Sequence, residues 1–311
     1  MALALSPFWT LLLLVGSLVL SVSGSAIPCE GQNAEPASAA SGEWQPRTPE
    51  QTLYAYVRCL NDSSASIEQK INWVKWHPDT TYESQCYVKC VSEELRLYDP
   101  KEKRFRPERF VLQAESFFHA DPEQLQALKN NAEPMLAGVL ADNSCESVFN
   151  KYATFYATHH STILRMFHGD YRDIGNTYAK LGNGVKQIGQ MFVDFCEKRT
   201  DFKWNEDNSC PPEAFLDCVF RGFRWITEEG EVNVNEIRRD YEAAGKGAAD
   251  MADYCGSVKA GARQLYNCLR DKGADSLVAV IRDRNQKTAF YFDLSSKEEP
   301  WKSAVDFANN L

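Results

Sequence analysis

From Thr48 onward, apolar residues recur at the three-to-four spacing that gives an α-helix one buried face. Thr48-Pro49-Glu50-Gln51 reads as a capping box with proline at the first helical position. Leu53, Tyr56, Val57 and Leu60 follow it and carry Cys59 on or near the same face. Asp121-Pro122-Glu123 opens a further helix, with Leu125 and Leu128 behind it. Ser144 caps another, whose stripe is Val148, Phe149, Tyr152, Phe155 and Tyr156. Val185, Ile188, Phe192 and Phe195 predict a helix leading to Cys196. Pro211-Pro212 starts one through Phe215 and Val219, and Asn233 with Glu236 pairs an N-cap with its N3 position ahead of Ile237 and Tyr241. No run alternates with period two between hairpin turns; Phe290-Tyr291-Phe292 has extended character but stands alone. The pattern predicts an all-α fold.

Outside the helical stripes, the short apolar run Phe8 to Leu20, followed by small residues, predicts a signal peptide over 1–26 rather than a membrane span. Residues 27–47, rich in Ser, Ala, Gly and Pro, read as a flexible leader. Length and cysteine spacing divide the rest into an N-terminal unit over 48–168 and a C-terminal unit over 169–311. Gly169, Gly175, Gly182 and Gly184 cluster at the junction.

Composition narrows the function. The net charge of -9 offers no cationic field to attract nucleic acid. Ten cysteines, Cys29, Cys59, Cys86, Cys90, Cys145, Cys196, Cys210, Cys218, Cys255 and Cys268, all follow the signal peptide, and in an oxidising compartment an even count predicts bridges. They lack the clustered spacing of a zinc site. No nucleophile elbow, zinc-protease helix or phosphate loop is present. Ala244-Gly245-Lys246-Gly247 reads as a helix-end turn, and Glu228 to Glu236, a weak likeness to a calcium loop, as a solvated turn. His159, His160 and His168 make a poor metal set and are expected at the surface. Neither metal nor cofactor is expected, and no enzymatic mechanism is indicated. Asn61-Asp62-Ser63 is a glycosylation sequon. Seven Trp, thirteen Tyr and seventeen Phe supply the material for an apolar cavity or for ordinary cores.

The spacing Cys59, then Cys86-Tyr87-Val88-Lys89-Cys90, then Cys145 resembles insect odorant-binding domains. The stretches Tyr56-Val57-Arg58-Cys59, Gln85 to Cys90, Phe167-His168-Gly169, Phe195-Cys196-Glu197 and Asp217 to Arg221 extend the resemblance to mosquito long-form D7 salivary proteins over nearly the whole mature chain. The resemblance implies two odorant-binding-like domains, with Cys59 bridged to Cys90 and Cys86 to Cys145. In the second domain Cys196–Cys218 and Cys255–Cys268 are expected, and Cys29 and Cys210 are left either to pair or to leave a free thiol.

By the same resemblance the protein is a monomer secreted in saliva, binding small host mediators and neither nucleic acid nor membrane. The first domain would take eicosanoids, thromboxane or cysteinyl leukotrienes, and so oppose platelet aggregation and vasoconstriction. Its pocket positions are Trp76 and Tyr87. The lysine for the lipid carboxylate falls at Ile188, with Lys186 two residues earlier as a substitute. The amine site of the second domain survives as a remnant: Glu197 and Asp283 are kept, while Gln286 and Phe215 stand where the family has Glu and His, and the segment between Cys210 and Cys218 is shortened. Arg282, Arg284 and Lys287 form a basic cluster that is either a phosphate site or a solvated face. Scavenging of nucleotides such as ADP, of amines such as serotonin and noradrenaline, or a protein-interaction role against clotting factors or a pathogen, are the alternatives.

Overall fold

The computed structural model describes residues 44–74, 77–117, 121–168, 182–187, 189–205, 210–247, 249–257 and 261–288. The signal-peptide reading, Cys29, Trp76, Ile188 and Phe290-Tyr291-Phe292 lie outside them. So do 169–181, which contain the expected junction.

The N-terminal domain contains α1 (Pro49–Asp62), α2 (Ile67–Val74), α3 (Tyr82–Glu94), α4 (Pro107–Phe117), α5 (Pro122–Leu136) and α6 (Cys145–His168). The caps are where the sequence places them. Thr48 and Gln51 complete the reciprocal box on α1, Asp121 Oδ1 accepts from the Glu123 amide on α5, and Ser144 Oγ accepts from the Ser147 amide on α6. Leu60, Phe110, Leu128, Val148 and Phe155 are fully buried and belong to one core. A small hairpin, unforeseen in the apolar pattern, joins α3 to α4: β1 (Tyr98–Asp99) pairs antiparallel with β2 (Arg104–Phe105). Two residues per strand are too few to display alternation.

Four elements differ from the sequence reading. Val185 is not helical. Gly182–Gly184 is a single 3-10 turn, Gly189 has φ +70, and the next helix, α7 (Phe192–Thr200), starts later. Glycine in the left-handed region ends the stripe that apolar spacing alone suggested. Within the expected leader, Trp44 and Arg47 are buried: Trp44 Nε1 donates to the Leu95 carbonyl at 3.0 Å, and Arg47 Nε donates to the same oxygen at 3.2 Å. His159 is buried at a kink in α6, against Phe155 and within 3.3 Å of the Asn131 amide, and burial pulls its pKa down. Finally, Glu228 to Glu236 is no solvated turn, because both glutamates pair with arginines of the N-terminal domain.

The C-terminal domain adds α8 (Glu213–Gly222), α9 (Val234–Ala243), α10 (Ala249–Gly256) and α11 (Gly261–Lys287), the last kinked at Gly273. Its core is built on Phe220, Phe223, Trp225, Tyr241, Leu265 and Leu269. It repeats the device seen after α3. The helix ends, one arginine adopts the left-handed conformation (Arg96 φ 58; Arg224 φ 66), and a short antiparallel contact follows, here the single bridge Ile226↔Val232. The two domains exchange charge. Glu228 accepts from Arg47 and, at 2.6 Å, from Arg96, while Arg58 meets Glu236 at 2.7 Å and Arg239 meets Asp62 at 2.9 Å. Arg224 lies over the Tyr54 ring, 4.9 Å from its centroid. No helix among the described residues is long and apolar enough to cross a membrane.

Four bridges staple the domains as expected: Cys59–Cys90, Cys86–Cys145, Cys196–Cys218 and Cys255–Cys268. Cys210 is also disulfide-bonded. The Cys86–Cys145 bridge spans a sequence separation of 59, which on the chain-entropy account stabilises by about 4 kcal/mol. Replacing both cysteines by alanine is expected to lower the unfolding free energy by about that amount in denaturant titration, with the larger loss in the N-terminal transition. An unchanged midpoint would show that α3 and α6 hold together by packing alone.

Candidate functional site

An apolar cavity of about 370 Å³ opens between α2, α3, the chain after α3, and α6. This volume lies within the range of small-molecule sites. Trp73 of α2 forms one wall and stacks on Tyr87 of α3, with ring centroids 4.6 Å apart and planes at 13°. Trp73 is fixed from behind: its Nε1 donates to Ser84 Oγ at 2.6 Å, and Ser84 in turn donates to Asp79 at 2.6 Å. The hydroxyls of Ser84 and Thr81 hold the Asp79 carboxyl below the usual carboxylate range, so the chain stays anchored on a charged acceptor. Val88, Val91, Leu95, Leu97, Phe149 and Phe167 complete the apolar lining.

Polar groups in the cavity are few. Tyr87, Tyr152 and Tyr156 line it, and burial pushes all three phenols above their ordinary value, so each remains a neutral donor. The Tyr87 and Tyr152 hydroxyls have no hydrogen bond to the described residues, whereas Ser92 Oγ is satisfied by the Val88 carbonyl at 2.8 Å. His160 lines the cavity edge-on to Tyr156 at 5.0 Å, with His77 stacked beyond it at 6.4 Å. His160 is therefore part of the cavity wall rather than the open surface expected of it. None of the described lining residues is Lys or Arg.

Tyr87 lies on the wall of this cavity. Lys186 is buried but is not among the residues lining the cavity. Trp73 and Tyr152 are the wall residues that sequence reasoning passed over. Tyr152 was legible as part of the α6 stripe, yet periodicity cannot tell a tyrosine that faces a cavity from one that fills a core.

The remnant amine positions do not form a comparable site. Glu197 is buried, and its carboxylate already accepts from the Lys203 ammonium and from the Trp204 amide at 2.9 Å. Phe215 fills the core against Phe202, 4.9 Å away. Asp283 pairs with Lys287 at 3.0 Å, and Gln286 is exposed. The basic cluster is divided as well. Arg282 is exposed, Lys287 serves Asp283, and Arg284 turns inward to Asp240 at 3.4 Å. Burial pushes Asp240 up to about 6, although Arg284 lies beside it and Trp225 Nε1 donates to it at 2.7 Å. A second and larger cleft, of about 870 Å³, lies between the domains and is lined by the paired Arg47, Arg58, Arg96, Glu228 and Glu236.

With this geometry in hand, the comparisons are specific. Residues 41–153 match the PBP/GOBP family. A long form salivary protein D7L2 of Aedes aegypti is 28% identical over 293 residues, spanning 83% of this chain and 87% of that protein. A long form salivary protein D7L1 of Aedes albopictus is 29% identical over 225 residues, spanning 65% and 67%. These relatives are named salivary proteins, in accord with the secreted, salivary localisation expected from the sequence. A solved structure titled mosquito juvenile hormone-binding protein is 99% identical, with a TM-score of 0.79, covering 86% of this chain and all of that one. The AeD7–leukotriene E4 complex, 23% identical over 82% of this chain and 94% of its own, shares the fold with a TM-score of 0.66. The chain belongs to the long-form D7 family of odorant-binding-like proteins.

Proposed function

We propose that this chain is a non-catalytic carrier of juvenile hormone, held in the N-terminal cavity. The observation that carries the reading is the cavity's chemistry: apolar walls, neutral phenols and no cation among the described lining residues. Juvenile hormone is an acyclic terpenoid with a methyl ester at one end and an epoxide at the other. Its chain matches the Val, Leu and Phe walls, and its oxygens are acceptors for buried hydroxyl donors. The near-identity to a protein named for binding that hormone supports the same ligand. Burial of each methylene contributes about 0.8 kcal/mol, so the chain supplies affinity, and the phenols supply selection because a buried donor left unpaired is costly.

An eicosanoid, scavenged to oppose platelet aggregation and vasoconstriction, is the second reading. The same phenols favour it, since they donate to any oxygenated lipid. Its carboxylate, however, meets no lysine or arginine among the described lining residues, Lys186 included. Nucleotide and amine scavenging have less support, because the cations and carboxylates expected to serve them are engaged within the protein.

Calorimetric titration with juvenile hormone tests the proposal. Wild type is expected to bind saturably at one site. Tyr87→Phe and Tyr152→Phe are each expected to weaken binding by about 1 kcal/mol, between five- and tenfold, at unchanged melting temperature. Full affinity in both variants would remove the phenols from the site.

The ester and its hydrolysed acid separate the two lipid readings. Burying a carboxylate without a cation is strongly unfavourable, so the methyl ester is expected to bind at least about tenfold more tightly than the acid. Equal or tighter binding of the acid would shift the assignment to eicosanoid-like carboxylates.

Serotonin is expected to give no heat. Its ammonium would have to displace Lys203 from Glu197 and would find Phe215 in the core. Submicromolar binding would show that Lys203 yields readily and that the second domain keeps an amine pocket.

A further inference from the structure

We propose that Glu228 of the C-terminal domain is a positioning residue for the N-terminal cavity, acting through Arg96 and Arg47. The inference rests on the reading that this cavity holds juvenile hormone. The cavity wall ends where α3 ends. Leu95 and Leu97 are buried and line the cavity, and Arg96 between them has φ 58. That conformation is unfavourable for a residue with a side chain, so the turn needs support from its surroundings.

Side chains of the N-terminal domain supply part of that support. The Leu95 carbonyl accepts from Trp44 Nε1 and from Arg47 Nε, and the Arg96 carbonyl accepts from Arg109. The Arg47 backbone is held by Gln113, whose side chain also donates to the Met166 carbonyl at 2.8 Å. Two guanidiniums, those of Arg47 and Arg96, therefore converge on one stretch of cavity wall. Glu228 answers both: Arg47 Nη1 donates to its Oε1, and Arg96 Nη1 donates to its Oε2 at 2.6 Å. Arg96 also reaches Glu229 at 2.6 Å.

One carboxylate from the other domain thus bridges the two cations beside Leu95 and Leu97, with Glu229 as a second partner to Arg96 alone. Burial alone would raise Glu228, but Arg47 and Arg96 more than offset it and hold the carboxyl below its ordinary value, so the group is ionised at neutral pH. Without that charge, buried Arg47 would lose its carboxylate and face Arg96, which would keep only Glu229. The left-handed turn would relax, and the two leucines would leave their places on the wall. Coupling of this kind is reciprocal: a ligand that fixes Leu95 and Leu97 must also tighten the contact with Glu228.

The test uses the full chain and juvenile hormone. Glu228→Gln and Arg96→Gln are each expected to weaken binding about fivefold or more. The double variant is expected to lose less than the sum of the two single losses, because both break the Arg96–Glu228 pair. Arg96→Lys keeps the charge and is expected to restore most of the affinity. Glu231→Gln, exposed on the same loop, is expected to bind as wild type does. In wild type, hormone is expected to slow amide exchange over residues 227–231, a response lost in Arg96→Gln, which a purely structural role would not produce. Wild type that binds hormone while Glu228→Gln stays within twofold of it, or while exchange at 227–231 ignores the ligand, overturns the positioning role alone. Wild type that fails to bind hormone overturns the ligand reading and this inference with it.

Discussion

Cys86 and Cys90 stand one turn apart on α3, and their bridges to Cys145 and Cys59 fix α6 and α1 to the same short helix. Everything on the N-terminal cavity follows from that constraint. A hollow domain lacks the continuous packing that normally holds helices in place, so something other than apolar contact must keep its walls apart and aligned. Covalent staples do this without filling the space. Tyr87 sits between the two sulfurs, so its backbone is among the most constrained in the domain, and Trp73 stacks on it from a neighbouring helix. Helix α3 carries Tyr87 together with the apolar Val88 and Val91, and α6 adds Tyr152 and Tyr156.

The helices and their caps were legible because their determinants are local. A Thr-Pro-x-Gln start or an Asp-Pro-Glu start is completed within three residues, and the structure realises both. The two first-domain bridges were expected from the family resemblance that the cysteine spacing carries. Where a local signal competed with an unnoticed one, the reading failed. Val185 lies in a helical stripe, yet Gly182 and Gly189 around it take positive φ and end the helix. The β1–β2 hairpin was invisible because two-residue strands carry no period.

The candidate site was legible only in part, and the division is physical. Tyr87 was marked by the cysteines beside it. Trp73 and Tyr152 have no such marker, because a cavity is defined by atoms that lack neighbours, and a stripe of aromatics reads alike whether it lines a space or fills one. Charged residues misled in the opposite direction. Glu228 and Glu236 looked like a solvated acidic loop because their partners are far away in sequence: Arg47 lies 181 residues from Glu228, and Arg96 lies 132. Arg284 read as part of a cluster that was either an anion site or a solvated face, and instead faces Asp240 and the Tyr54 ring.

The two domains share a fold and differ in how they use their interiors. In the first, the space between α2, α3 and α6 stays open and polar groups face into it. In the second, Phe202 and Phe215 pack together, and Glu197 is occupied by the protein's own Lys203. Apolar burial of that kind stabilises the second domain. Its left-handed Arg224 and its acidic 228–236 segment are directed at the first domain, against Tyr54, Arg47, Arg58 and Arg96. Paired charges, Arg47, Arg58, Arg96, Glu228 and Glu236, line the boundary between the domains. The second domain can thereby act on binding in the first, because the wall of the open cavity ends in a left-handed turn at Arg96 that lies against it.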